Sequence, residues 1–92
     1  MEYMDRLNNI VFVDSLPKLD LHGYDRETAR VAINDFIRDH KIMGHDIVVI
    51  VHGRGQGILL KQTKETLKHN KDVACFKQDN NNQGCTLVLI KE

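Results

Sequence analysis

Ile47-Val48-Val49-Ile50-Val51-His52-Gly53-Arg54-Gly55-Gln56-Gly57 decides the fold. Its opening run is β-branched without interruption, the pattern of a strand covered on both faces. The glycine-rich stretch then turns the chain, and Leu59, Leu60, Thr63 and Leu67 supply the inner face of a helix over 58–69. Upstream, Leu19-Asp20-Leu21-His22-Gly23 has the same ending: a strand that closes on His-Gly and leads into a helix. Alternation puts Leu19 and Leu21 on one face of that strand and Asp20 and His22 on the other. In the helix that follows, Asp25 suits the N-cap, Glu27 the positive end of the dipole, and Gly44 the stop. Ala29, Ala32, Ile33, Phe36, Ile37 and His40 recur along it at helical spacing.

Downstream, Val73-Ala74-Cys75-Phe76 reads as a strand and Asp79 to Gly84 as a polar turn. Cys85-Thr86-Leu87-Val88-Leu89-Ile90 closes the chain as a strand with apolar residues on both faces. The order β-α-β-α-β-β implies a two-layer α/β domain: a mixed four-stranded sheet with two helices, parallel pairing through the crossovers and a hairpin at the end. Residues 17–92 form this domain. Residues 1–16 are an N-terminal arm, in which Ile10-Val11-Phe12-Val13 is too short for a helix and suits an extra edge strand or a segment laid across the domain.

At 92 residues, with 41% hydrophobic and 28% charged side chains and no Trp, one core is possible and two are not. No window approaches the roughly 18 apolar residues of a membrane span, and Met1-Glu2-Tyr3-Met4-Asp5-Arg6 lacks the apolar run of a secretion signal. Cys75 and Cys85 belong to no Cys-x-x-Cys pair and are expected to be buried free thiols in a reducing cytoplasm. The 13 basic and 13 acidic residues cancel, which argues against a uniformly cationic nucleic-acid binder. Their distribution is uneven. Residues 1–46 hold six Lys/Arg against nine Asp/Glu, and residues 47–92 seven against four.

If the two His-Gly strands are parallel neighbours, Asp20, His22 and His52 share the carboxyl edge of the sheet, where open α/β sheets place ligands. Gly53, Gly55 and Gly57, alternating with Arg54 and Gln56, let backbone amides turn toward an anion at a helix N-terminus, and Arg54 suits a bidentate phosphate clamp. The spacing matches neither G-x-G-x-x-G nor G-x-x-x-x-G-K-[ST], which argues against a nucleotide cofactor. Lys61, Lys64, Lys68 and Lys71 fall within an arc of about 80° at roughly 100° per residue, a stripe that suits a phosphate backbone. Tyr24 is the one ring near the site. His40, His45 and His69, near helix ends, are expected to be surface or dipole-compensating residues.

These residues resemble a known family. Leu19 to Gly23, His52 to Gly57 and Gly84-Cys85-Thr86-Leu87-Val88, at this separation and in this β-α-β-α-β-β order, look like the Smr (small MutS-related) domain. The resemblance covers roughly residues 17–90. That domain occurs at the C-terminus of the second bacterial MutS paralogue and as a stand-alone protein. It implies a fold similar to the C-terminal domain of bacterial translation initiation factor three, and nicking or cleavage of DNA or RNA. The Leu-Asp-Leu-His motif carries activity over to Asp20 and His22. The His-Gly-x-Gly motif carries activity or nucleic-acid contact over to His52, Gly53, Arg54 and Gly55. Arg54 stands where many relatives have Lys, which keeps the charge and changes its geometry. The ATPase and clamp regions of the long relatives have no counterpart in these residues, so targeting would fall to protein partners.

The leading expectation is a phosphodiester endonuclease. Gly53, Arg54, Gly55, Gln56, Gly57, Lys61, Lys64 and Lys68 hold phosphates; His22 or His52 acts as general base or acid; Asp20 orients a histidine or holds Mg²⁺ or Mn²⁺. The alternatives are a non-catalytic module that binds nucleic acid or the ribosome, and a binder of small phosphorylated molecules.

Overall fold

The computed structural model describes residues 3–8 and 13–92. Four strands and three helices follow one another as α1 (Tyr3–Asn8), β1 (Lys18–Asp20), α2 (Arg26–Ile42), β2 (Ile47–Val51), α3 (Ile58–Lys68), β3 (Val73–Gln78) and β4 (Cys85–Ile90). The sheet order is β1-β2-β4-β3. β1 and β2 run parallel, joined through α2, and β4 lies antiparallel to both β2 and β3. This is the mixed sheet that the chain order implies. β3 and β4 keep register except for a shift between Val73 and Cys75.

Each face of the sheet has its own core. On the helical face, Leu21, Val48, Ile50, Val88 and Ile90 pack against Ala29, Ile33 and Ile37 of α2 and Leu67 of α3. On the opposite face, Ile47, Val49, Leu87, Leu89 and Cys85 pack with Leu7 of α1, and Val13 and Leu16 close over them. This explains the β-branched run: β2 is a central strand with α2 and α3 on one side and α1 on the other, and Val48, Val49 and Ile50 are wholly buried. The cover is a third, six-residue helix that the sequence pattern did not declare. Val13 sits in a short 3₁₀ turn, Val13–Ser15, and the rest of the expected edge segment, Ile10 to Phe12, lies outside the described residues.

Local chemistry sets the ends of α2. The Asp25 carboxylate accepts from the Thr28 amide at 2.8 Å, which holds its pKa below the usual carboxylate range. At the far end Gly44, at φ +83°, donates to the Lys41 carbonyl (3.1 Å), and the His45 amide reaches the His40 carbonyl (2.9 Å). The cysteines are not bridged. Cys85 is buried and Cys75 half-buried, with its thiol pKa raised by burial. No helix among the described residues is long and apolar enough to cross a membrane.

α1 holds its place through Leu7, only 2% exposed, an ion pair between Arg6 and Asp46, and a hydrogen bond from Lys77 Nζ to Asn8 Oδ1 (2.7 Å). Truncating Leu7→Ala uncovers the second core and is expected to lower unfolding stability by about 2 kcal/mol. Urea titration followed by far-ultraviolet circular dichroism measures this, and an unchanged midpoint would show that α1 contributes nothing to the cover.

Candidate functional site

Parallel pairing brings both His-Gly ends to one edge of the sheet. Asp20 is the register partner of Val51, and the Leu21 amide donates to the Val51 carbonyl at 2.9 Å. β1 ends there: Leu21 turns into the core, wholly buried, while His22 is exposed beyond the strand. Asp20 Oδ1 accepts from the His22 amide at 2.9 Å, so the carboxylate folds over the turn and fixes the backbone that carries the imidazole.

Asp20 and His52 stand on opposite faces. Register partners share a face, and Val51, the partner of Asp20, packs on the α1 side. His52 follows Val51 and points to the helical side, where its Nε2 lies 2.9 Å from Thr86 Oγ1; Thr86 is itself the partner of Ile50 in the helical-side core. Asp20, His22 and His52 therefore share an edge without their side chains meeting. A hydrogen bond from the His22 amide to Asp20 joins the first two, while the His52 ring is engaged with Gly53 and Thr86.

His52 is 7% exposed and both ring nitrogens are engaged. Nδ1 lies 2.9 Å from the Gly53 carbonyl, which can only accept, so Nδ1 carries the proton and Nε2 accepts from the Thr86 hydroxyl. Burial, the largest influence, lowers the His52 pKa, and the Lys64 ammonium adds to the effect against the Gly53 hydrogen bond. The neighbouring loop is fixed from the other side by Gly84, whose carbonyl accepts from the amides of both His52 (2.9 Å) and Gly53 (3.0 Å). A Cβ on Gly84 would touch the Gly53 backbone at van der Waals distance (3.4 Å) and crowd Asn82 Oδ1 at 3.2 Å, so a side chain here would have to displace the Asn82 amide.

Past this latch, Gly53, Arg54, Gly55 and Gln56 are exposed, and Gly57 caps α3 in the left-handed region at φ +82°. No side chain caps the helix, and its first turn opens onto a cleft of about 210 Å³ lined by His52, the loop glycines and Leu60. Lys61, Lys64 and Lys68 project from α3, all exposed; Lys71 lies past its end. Among the described residues Arg54, Lys61, Lys64 and Lys68 enter no ion pair, whereas Arg6, Arg30, Arg38 and Lys41 each face an aspartate or glutamate. Also among the described residues, no group of three or more His, Cys, Asp or Glu side chains is arranged to hold a metal ion. A lone Asp20 carboxylate with one oxygen already engaged does not fit a built site for Mg²⁺ or Mn²⁺.

The other histidines have local partners. His40 and His45 place their Nδ1 atoms 2.7 Å apart, and His69 Nδ1 donates to the Glu65 carbonyl at 2.9 Å.

The family model described as the Smr domain matches residues 19–91. The chain belongs to the Smr family. Endonuclease MutS2 of Geobacillus sp. strain WCH70 is 39% identical over 75 residues, 82% of this chain and 10% of that protein. Endonuclease MutS2 of Helicobacter pylori strain 26695 is 39% identical over 73 residues, 79% of this chain and 10% of that protein. The chain thus spans about a tenth of the length of these relatives. In structure it is similar to the Smr domain of Thermus thermophilus MutS2, with a TM-score of 0.79 at 22% identity over 84% of this chain and all of that one. It is also similar to YdaL, a stand-alone small MutS-related protein from Escherichia coli, with a TM-score of 0.75 at 21% identity over 86% of this chain and 73% of that one. The Smr fold is common to all three.

The state of the buried imidazole in this Smr domain can be read from its titration. The unfolded chain takes up the His52 proton near pH 6.5, and the folded chain only below that value. Stability is therefore expected to fall as pH drops from about 6.5 toward the depressed folded value. His40, lowered by burial and then by His45, contributes with the same sign, so imidazole resonances must be followed individually. The His52 midpoint is expected below 6.5, and His52→Gln should flatten the pH dependence of the urea midpoint. A His52 midpoint at or above 6.5 would contradict the engaged ring.

Proposed function

We propose that this Smr domain binds the phosphate backbone of DNA or RNA across the Gly53–Gly57 loop and α3, and cleaves phosphodiester bonds there. The observation that carries the binding is the division of the cations. Those on the loop and α3 are exposed and, among the described residues, enter no ion pair, while those of α1 and α2 named above are paired off. Unpaired cations beside amides without a side-chain cap are the arrangement that phosphate oxygens fill, with release of counterions from the nucleic acid. The Endonuclease MutS2 relatives support the chemistry by their name. Cys75 and Cys85, not bridged to one another, suit a reducing cytoplasm, where such substrates are found.

The roles divide by geometry. His22, exposed with its ring outside any internal hydrogen bond among the described residues, is the proton carrier: it takes a proton from the attacking oxygen or returns one to the leaving oxygen. Asp20 is a positioning residue through its bond to the His22 amide. His52, with both nitrogens engaged, positions the loop. Arg54 and the loop amides stabilise charge developing on the phosphate.

A second reading has its own support. Because the three side chains do not meet, the same surface suits a module that holds nucleic acid, alone or on the ribosome, without cutting it, guided there by protein partners. A cleavage assay on supercoiled plasmid and structured RNA, with Mg²⁺, with Mn²⁺ and with chelator, separates the two. Cleavage is expected to fall at least about 100-fold in His22→Ala. It should fall in Asp20→Ala and survive in Asp20→Asn, which keeps the acceptor. Undiminished cleavage by His22→Ala would remove this mechanism, and binding without cleavage under every condition would select the second reading.

Binding itself is tested by replacing Lys61, Lys64 and Lys68 together with Gln. On duplex DNA the slope of log Kobs against log salt is expected to shrink by about 2.7, three contacts at about 0.9 each. A slope equal to the parent's would show these lysines to be a merely solvated face.

A further inference from the structure

One cation near the site belongs to neither the loop nor α3. Arg26 is the first residue of α2, where the positive end of the helix dipole disfavours a cation. It is exposed and has no ion pair or hydrogen bond among the described residues, although Arg30 and Arg38 on the same helix are both paired. Its acidic neighbours are taken: Asp25 accepts from the Thr28 amide, and Glu27 pairs with Arg30.

Arg26 and Lys61 line one cleft of about 370 Å³ between α2 and α3, together with Ile58, Gln62 and Glu65. Gln62 Nε2 donates to Thr66 Oγ1 (3.0 Å) and the Glu65 carboxylate lies toward His69 Nδ1 (3.5 Å), so the cleft sets two cations, Arg26 and Lys61, neither of them in an ion pair among the described residues, against one carboxylate. Ile58, 52% exposed, lines both this cleft and the loop cleft, so the two adjoin across one side chain. Lys61 stands four residues past Gly57, about 6 Å along the helix, a separation comparable to that of neighbouring phosphates on one strand.

We infer that the Arg26–Lys61 cleft is a second phosphate subsite, which takes the phosphate next to the one held at the Gly53–Gly57 loop, with the intervening sugar and base over Ile58. The inference rests on the proposed nucleic-acid binding. It names a contact on α2 and sends the bound strand across the helix layer as well as along α3.

The test is binding of a fluorescein-labelled single-stranded oligonucleotide, followed by anisotropy across a salt series, for the parent, Arg26→Gln, Arg26→Lys and Lys64→Gln. Arg26→Gln is expected to reduce the slope of log Kobs against log salt by about 0.7, the value for one contact on a single strand, and Arg26→Lys to keep it. Unpaired and exposed, Arg26 can be replaced without loss of fold, which circular dichroism checks. A parental slope in Arg26→Gln, with a reduced slope in Lys64→Gln, overturns the subsite and leaves the proposed binding standing. Failure of the parent to bind, or parental slopes in both Gln variants, overturns the two together.

Discussion

The site depends on one carbonyl. Gly84 accepts from the amides of both His52 and Gly53, and so ties the end of β2 to the turn between β3 and β4. Remove that latch and the loop loses its anchor, α3 its starting point, and His52 its alignment with Thr86. A bare Gly84 suits this approach, because a Cβ would crowd the Asn82 side chain that accepts from the Gly84 amide. The buried imidazole then completes the tie from the side-chain end, neutral and with both nitrogens used. The histidine that the motif offers as a catalyst also rivets the loop that bears Arg54.

Much of this was legible in the sequence. The β-branched run at 47–51 announced a strand buried on both faces, Asp25 and Gly44 marked the ends of α2, and the repeated His-Gly endings implied parallel neighbours at a common edge. These signals are local, and local chemistry decides them. Three features were not legible. α1 is too short to show a helical period, and Leu7, which it buries, is indistinguishable in sequence from any isolated leucine. The separation of Asp20 from His52 by the plane of the sheet follows from register, which a motif does not encode. Arg26 hides in an ordinary charged helix, because its lack of a partner is a property of three-dimensional neighbours.

Zero net charge conceals a strongly ordered arrangement. Acids and bases on α1, the body of α2 and the turns before β2 and β3 neutralise one another across short distances, as Arg6 does with Asp46 and Lys41 with Asp72 at 3.4 Å. The cations at the carboxyl edge and on α3 are left over. A neutral chain can therefore present a local attractive field to a polyanion while the rest of its surface stays indifferent, and such a field weakens steeply with ionic strength.

The margins of the sheet have a consequence of their own. Among the described residues β1 and β3 are its outer strands. β1 is three residues long and follows Pro17, which has no amide to donate; β3 loses register between Val73 and Cys75 and carries Lys77, tethered to Asn8. Neither margin offers a neighbouring molecule a long, straight ladder of open peptide groups, so the fold resists the strand-by-strand stacking that leads to aggregates even though its central strands are among the most β-prone in the chain.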